Sequence, residues 1–250
     1  MELWTPEHAK TLLPAVALML LAALGLRAWL GKKPLVVRMI PLQICTCILL
    51  ALEVGKQVLS LRQGYDLYHL PFHYCSLFIF IMPLMAFYRG SHRHQVTTVS
   101  TSICAAVFLL MMIYPNLIYT ATNVREFFTN YFSFHTVAYH NIVVFLLMLI
   151  VALDLHTPGE RKEQTAVIVA MVIFCVISAT MAHVLKTNYA NYYSCNIPIL
   201  ETVRLAVEGA IGPIVAKLVY IAIVSALNIL FTWGAYLLYR LTHKYTKLAQ

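Results

Sequence analysis

Seven long apolar stretches alternate with short polar connections along the chain. A membrane-spanning helix needs about 20 apolar residues, and each stretch is close to that length. The stretches cover residues 11–30, 35–58, 70–88, 96–118, 131–153, 164–186 and 217–239. The second is the weakest because it contains Arg38 and Glu53, and a six-span alternative would omit it. The pattern predicts an all-α, polytopic transmembrane helix bundle of about seven spans.

The connection before the last span has a pattern of its own. Its apolar residues recur at helical spacing, at Ile199, Leu200, Val203, Ala206, Val207, Ala210 and Ile211. Its charged residues take the opposite face, at Glu201, Arg204 and Glu208. This pattern predicts an amphipathic helix lying in the outer membrane interface. Pro198 suits the first turn of that helix, and Gly212 followed by Pro213 suits its end.

Composition agrees with a protein of the lipid bilayer. Of 250 residues, 61% are apolar and 11% are charged, whereas soluble globular chains carry roughly 25% charged residues. A water-soluble fold is therefore excluded, and we expect one transmembrane domain over residues 1–250. With the N-terminus outside, the inner connections are the short ones and hold most of the Lys and Arg. The positive-inside rule then favours an N-out, C-in orientation.

The net charge of +8 narrows the expected partners. No basic stretch is long enough, or suitably interleaved with aromatic residues, to bind a phosphate backbone, so nucleic acid is not an expected partner. Anionic lipid headgroups are the ordinary counter-charge. An N-out multi-pass protein suits either a bacterial plasma membrane or an endoplasmic reticulum membrane. The cysteines show no disulfide framework, and most are expected to be packing residues.

Ionisable side chains inside the apolar stretches are the strongest functional signal, because they are costly in a bilayer unless paired or hydrated. Successive spans run in opposite directions, which brings residues from four spans to similar depth in the outer half: Glu53, His73, Cys75, His135, His140 and His183. Asn188 and Tyr189 follow directly after the sixth span. The neighbouring Tyr192 and Tyr193 are explained equally well as an aromatic girdle at headgroup level.

One short motif within this set carries a resemblance. Residues 70–76 read Leu-Pro-Phe-His-Tyr-Cys-Ser, and Glu53 lies in the span before them. The segment resembles the Leu-Pro-x-His-x-Cys signature of the YwaF-like membrane proteins, whose eukaryotic branch is the transmembrane protein 164 family. Other matching positions lie further along the chain: His140, Asn188, Tyr189, Gly212 and Pro213. The resemblance thus covers most of the chain, roughly residues 53–239.

Two positions depart from the family pattern. Where the family has an aromatic run after Gly-Pro, residues 214–217 read Ile-Val-Ala-Lys. Its frequent His-Gly pair is replaced by His140 and Asn141. These departures bear on the choice of substrate more than on the fold.

The resemblance implies an enzyme of lipid metabolism, a phospholipid acyltransferase or transacylase. In that family acyl chains move between lipids through a cysteine nucleophile and a histidine, which here would be Cys75 and His140. No cofactor is implied, and the partners would be membrane phospholipids and lysophospholipids. A site in the outer half would not meet cytosolic acyl-CoA, so we expect a membrane phospholipid as the acyl donor.

The thiol of Cys75 needs a partner to react. A free thiol has a pKa of about 8.5 and burial raises it, so a nearby base is required. His73, two residues earlier on a helix, would face the opposite side, although Pro71 could distort that turn. His140 comes from another span at matching depth and is the preferred base, with Thr136 one turn away to orient it. His73 stays a second candidate.

The remaining polar residues are expected to bind substrate or support the site. Donors for the oxyanion of the acyl intermediate could be His183, Asn188 and Tyr189. Glu53 is expected to pair with Lys56 or to orient a histidine. His135 and His140 are five residues apart and face different ways, so one of them is expected to be structural.

Two other functions remain open. The histidines together with Glu53 offer enough ligands for zinc, but their spacing does not enforce such a site, and no metal is expected. A non-catalytic transporter or receptor would instead use Glu53, His140 and His183 as a path for protons or a solute. The inverted repeats and discontinuous helices of secondary transporters are not apparent in the sequence.

Overall fold

The computed structural model describes residues 3–159 and 161–248 and consists of helices joined by short connections. The α-helices are α1 Pro6–Leu30, α2 Leu35–Arg38, α3 Ile40–Arg62, α4 Phe78–Phe87, α5 Arg93–Ile113, α6 Ala121–Arg125, α7 Tyr131–Ala152, α8 Arg161–Val184, α9 Pro198–Ile211 and α10 Pro213–Leu248. Short 3-10 helices lie at Leu67–His69, Tyr74–Leu77 and Pro115–Leu117. These described residues include no strand, which confirms the all-α prediction.

Within the described ranges, six helical stretches are long and apolar enough to cross a bilayer. They are Pro6–Leu30, Leu35–Arg62, Arg93–Ile113, Tyr131–Ala152, Lys162–Val184 and Pro213–Lys244. The second of these contains Arg38 and Glu53, so the weakest predicted span is present and the alternative that omits it is not supported. The chain is an integral, multi-pass membrane protein.

The third predicted span differs from the other six. Its helix runs only from Tyr74 to Phe87, about 20 Å, whereas the hydrocarbon core is about 30 Å thick. The cause is local, because a residue that precedes proline is pushed into extended conformation. Leu70, before Pro71, has φ −62° and ψ 147°, and His73 is also extended. The prediction of a helical span over 70–88 was therefore too long at its start.

Contacts between the connections define two ends of the bundle. At the end where α1 begins, which we call the outer end, His8 donates a 2.8 Å hydrogen bond from Nε2 to the carbonyl of Tyr119. At the other end, Arg38 donates a 2.6 Å hydrogen bond to the carbonyl of Leu153. The chain passes between these ends seven times, counting the short third passage. The first and last described helices, α1 and α10, therefore begin and finish at opposite ends of the bundle, as the N-out, C-in prediction requires.

Helix α5 lies at the centre of the bundle and contacts α4, α7, α8 and α10. Its residues 97–107 are all buried and are mostly small, which lets neighbouring helices approach closely. The hydroxyl groups in this run bond to carbonyls one turn earlier: Thr101 donates to the Thr97 carbonyl over 2.8 Å, and Ser102 to that of Thr98 over 2.6 Å. Such back-bonding satisfies polar groups that have no access to water.

The predicted amphipathic helix is α9. It begins at Pro198 and ends at Ile211, directly before Gly212, whose φ of +84° is open to glycine but strained for other residues. Arg204 bonds both Glu201 and Glu208 along its polar face. Helix α9 folds back onto α10, with which it makes its helix contacts. The predictions of this helix and of its C-terminal stop are confirmed.

Candidate active site

Residues 63–73 between α3 and the helix starting at Tyr74 form what we call the unwound segment. The segment reaches into the bundle: Ser178 of α8 donates a 2.7 Å hydrogen bond to the carbonyl of Phe72. Ser178 lies about 9 Å inside the outer end of its helix. Non-helical backbone at membrane depth needs partners for its polar groups. Gln57 supplies another, donating from Nε2 to the His69 carbonyl over 2.8 Å.

Two predicted site residues serve the same purpose. The hydroxyl of Tyr189 donates a hydrogen bond to the carbonyl of Leu67. His73 donates from Nε2 to the carbonyl of Tyr68 over 2.9 Å, and its ring lies edge-on to Tyr189 with centroids 5.2 Å apart. The structure brings these two residues together, and both hold the unwound segment in place. Because His73 precedes the helix, its expected position on the helix face opposite Cys75 was wrong.

Cys75 lies in the first turn after the unwound segment, within the 3-10 helix Tyr74–Leu77. Its side chain is partly buried. The hydroxyl of Tyr139 on α7 donates a 3.2 Å hydrogen bond to the Cys75 carbonyl. On the other side, the hydroxyls of Tyr74 and Thr232 are hydrogen-bonded over 2.8 Å. The backbone that carries the thiol is thus fixed between α7 and α10.

His140 follows Tyr139 on α7 and is buried. Its Nδ1 lies 2.6 Å from the carbonyl oxygen of Thr136, so Nδ1 carries the proton and Nε2 keeps its lone pair. This is the tautomer that a general base requires. Thr136 orients the ring as expected, but through its backbone oxygen. Among the described residues no hydrogen bond joins His140 to the Cys75 sulfur.

Glu53 is the centre of a buried polar cluster. Lys56 forms an ion pair with it over 2.7 Å, and His135 on α7 donates to it from Nε2 over 3.1 Å. Both expectations for Glu53, a pair with Lys56 and a contact to a histidine, are confirmed. The histidine is His135, which links α3 to α7 and so fits the structural role expected for one of the two α7 histidines.

Gln57 connects this cluster to the unwound segment. Its Nε2 donates to Glu53 over 2.7 Å as well as to the His69 carbonyl, and Tyr65 donates to its Oε1 over 2.7 Å. His69 bonds Ser60 over 2.7 Å.

The structure does not bring His183 and Asn188 to Cys75 through any hydrogen bond in the described chain. Asn188 accepts from the backbone N–H groups of Tyr193 and Ser194 over 3.3 and 3.2 Å and thereby fixes the turn after α8. His183 packs its ring against Tyr193, with centroids 5.8 Å apart. Their expected role as oxyanion donors has no geometric support here and stays a prediction.

Sequence reasoning missed three residues that build the site: Gln57, Tyr139 and Ser178. Gln57 carried a usable signal, since it is a polar residue one turn from Glu53 inside an apolar stretch. Tyr139 and Ser178 carried none, because aromatic and small polar residues are common in such stretches. Over the ranges that the structure describes, no three His, Cys, Asp or Glu side chains lie close enough to hold a metal ion.

Together these features define a multi-pass helical membrane protein with a polar site at the unwound start of its third passage. The chain belongs to the TMEM164 family, whose model matches residues 3–239. The match covers nearly the whole chain and includes both sides of the site. No curated protein and no solved structure matches it.

Removing a donor to the unwound segment should destabilise the fold. Ser178→Ala leaves the Phe72 carbonyl without its partner, and an unsatisfied buried acceptor costs about 1–3 kcal/mol. We expect a lower thermal unfolding temperature in detergent. Ser91→Ala, in an exposed connection, is the matched control and should unfold like the parent protein. Equal unfolding temperatures for all three proteins would contradict the assigned role of Ser178.

The Glu53 cluster predicts a charge-specific effect. Glu53→Gln leaves the largely buried Lys56 without its counter-charge, and breaking one side of such a pair costs about 3–5 kcal/mol. Adding Lys56→Met to Glu53→Gln removes the orphaned charge, so the double variant should unfold at a higher temperature than the single one. If the double variant is no more stable than Glu53→Gln alone, the ion pair is not what the cluster depends on.

Proposed function

We propose that this protein is a phospholipid transacylase that carries the acyl chain as a thioester on Cys75. The observation that carries the proposal is the position of this thiol, in the first turn of a helix that begins inside the bundle. The first amides of a helix have no acceptor within it, and its positive end favours a thiolate. An unwound segment ahead of Cys75 is what creates such a helix start at membrane depth.

His140 is the proposed base. It lies next to Tyr139, whose hydroxyl holds the Cys75 carbonyl, and its Nε2 lone pair is available. In the resting structure its ring is not bonded to the sulfur, so attack requires a side-chain rotation. Catalytic hydrogen bonds are often absent before substrate binds. The hydrogen bond from Nδ1 to Thr136 would steady the ring while Nε2 gains and loses a proton.

The proposed reaction has two acyl transfers. First, the Cys75 sulfur attacks an ester carbonyl of a phospholipid as its proton passes to His140. The tetrahedral intermediate collapses, the C–O bond breaks, and His140 returns the proton to the departing lysophospholipid hydroxyl. In the second transfer, the hydroxyl of another lysophospholipid gives its proton to His140 and attacks the thioester. The C–S bond breaks, and the sulfur regains its proton.

The oxyanion needs hydrogen-bond donors at its oxygen. Our preferred candidates are the amides of Tyr74 and Cys75, which precede the first hydrogen bond of the helix, from the Ser76 N–H to the His73 carbonyl. They replace His183 and Asn188 as our preferred donors, because no hydrogen bond among the described residues joins those two to this helix. Tyr189 and His73 then support the site indirectly by holding the unwound segment. Glu53, His135 and Lys56 support it from the α3–α7 side.

A second candidate function is a non-catalytic transporter or receptor. The unwound segment favours it, because discontinuous helices form the substrate sites of many transporters. In that case Glu53 and His140 would serve a solute or proton path rather than acyl transfer. The two functions differ in whether a covalent acyl intermediate forms.

Purified protein in liposomes with radiolabelled phospholipid and unlabelled lysophospholipid tests the proposal. Cys75→Ser should abolish label transfer, and His140→Gln should slow it by about 100- to 10,000-fold, as expected for loss of a general base. Cys47→Ser, at an exposed cysteine, is the control and should be fully active. Mass spectrometry should locate an acyl adduct on Cys75. An adduct on another residue, or full transfer by Cys75→Ser, would overturn the mechanism.

The acyl donor can be tested separately. Sealed vesicles with the outer end exposed should transfer label from phospholipid but not from acyl-CoA supplied on the side opposite that end. The physical reason is that a charged acyl-CoA cannot cross the hydrocarbon core to reach Cys75. Rapid entry of acyl-CoA label into lipid would eliminate the transacylase assignment while leaving the Cys75 thioester intact.

A further inference from the structure

An apolar groove of about 600 Å³ lies between α9 and α10 at the outer end of the bundle. Its long wall is a stripe on α10 that includes Ala216, Val219, Ile223, Leu227 and Phe231. At about 1.5 Å per residue, the stripe is about 22 Å long. One leaflet contributes about half of the ~30 Å hydrocarbon core. The groove is therefore long enough to take the whole length of a lipid acyl chain.

Helix α9 forms the second wall and shields the groove from the side. Its apolar face turns toward α10, and Leu200, Val203 and Val207 line the groove with 50%, 55% and 37% of their surface uncovered. Leu110 of α5 closes the back. An interfacial helix usually rests its apolar face on the bilayer. Here the apolar face of α9 forms one side of a groove that is also lined by α5 and α10.

One group of charged residues, Glu201, Arg204 and Glu208, lies beside the groove. Among the described lining residues, Arg204 is the one that carries a charge. It donates to both carboxylate oxygens of Glu201, over 2.8 and 2.7 Å, and to Glu208 over 3.1 Å. Arg204 holds the pKa of Glu201 below its ordinary value, so both partners are charged at pH 7. Two carboxylates against one guanidinium leave this group with a net negative charge.

This balance excludes some ligands and favours others. A free fatty acid or an anionic phospholipid brings negative charge to a mouth whose cation is already engaged. A choline or ethanolamine headgroup brings an ammonium group that complements the surplus carboxylate. Lipid tails are as apolar as the groove itself, so burial of apolar surface supplies little preference inside a bilayer. Any preference for one lipid over another must therefore come from the shape of the groove and the charge of the headgroup.

We infer that the groove between α9 and α10 holds one acyl chain of a resident zwitterionic phospholipid whose headgroup lies beside the Glu201–Arg204–Glu208 group.

The position of this lipid distinguishes it from a substrate. The inner end of the groove reaches Asn228, whose carbonyl accepts a 2.8 Å hydrogen bond from Thr232. Thr232 in turn bonds Tyr74, the residue before Cys75. Ala216 and Thr232 are about 24 Å apart along α10. The tail of the bound lipid would thus end near Cys75, while its ester groups would stay at the outer surface.

Lipid retention tests the inference without any assay of acyl transfer. The full chain is reconstituted in nanodiscs of phosphatidylcholine, phosphatidylglycerol or an equal mixture and then analysed by native mass spectrometry in mild detergent. We expect one retained phosphatidylcholine per chain from the mixture. Val224→Trp fills the groove from its wall and should lower retention by about tenfold or more. Leu230→Trp, on an exposed position of α10, is the matched control and should retain lipid normally.

Two further measurements test the headgroup preference and the location of the bound lipid. Glu208→Lys should shift retention from phosphatidylcholine toward phosphatidylglycerol, because it makes the mouth positive. A diazirine-labelled phosphatidylcholine should crosslink to peptides of α9 and α10 in the unmodified protein, which tests the site even if Val224→Trp fails to fold. Equal retention of both lipids, crosslinks confined to other helices, or a dimer that dissociates in Val224→Trp would each overturn the inference. Loss of acyl transfer alone would bear on Cys75 and not on this groove.

Discussion

A bilayer offers no water to backbone carbonyls, and this constraint governs how the chain can start its third passage. Pro71 and the extended residues around it prevent a helix before Tyr74, so the carbonyls of the unwound segment need donors from elsewhere. Ser178 and Tyr189 supply two of them. Much of the polar content of this apolar chain is therefore explained by backbone satisfaction before any chemistry is considered.

The same break in the helix generates the candidate chemistry. A continuous helix over the third stretch would place Cys75 within a regular turn, with its amides bonded to earlier carbonyls. With the helix starting at Tyr74, its first hydrogen bond runs from the Ser76 N–H to the His73 carbonyl. The amides of Tyr74 and Cys75 therefore have no partner within the helix, and the thiol lies at the positive end of the helix dipole. The supporting cluster around Glu53 and Gln57 then fixes the segment from the α3 side. The packing of this segment and the reactivity proposed for Cys75 thus depend on the same local feature of the backbone.

Sequence patterns predicted what depends on neighbours along the chain. Hydropathy located the spans, helical spacing located α9, and proximity on one helix paired Glu53 with Lys56. The contacts that place Cys75 join distant positions, such as Tyr139 with Cys75 and Ser178 with Phe72, and no periodicity encodes them. The start of the third helix was missed because the apolar run 70–88 outweighed the visible signal of Pro71. His183 lies in the last turn of α8, but position along a helix does not tell which way a side chain faces.

The elbow at Gly212 and Pro213 has a mechanical consequence. The left-handed φ of Gly212 and the missing amide hydrogen of Pro213 stop α9 from continuing into α10. Gly212 is the one residue between the two helices. The interfacial helix α9 is thereby joined directly to the outer end of α10, which crosses the membrane. Because Gly212 alone lies between the two helices, a displacement of α9 along the membrane normal must be shared by the start of α10. A shift of α10 along its axis would also move Thr232, whose hydroxyl is hydrogen-bonded to that of Tyr74, the residue before Cys75.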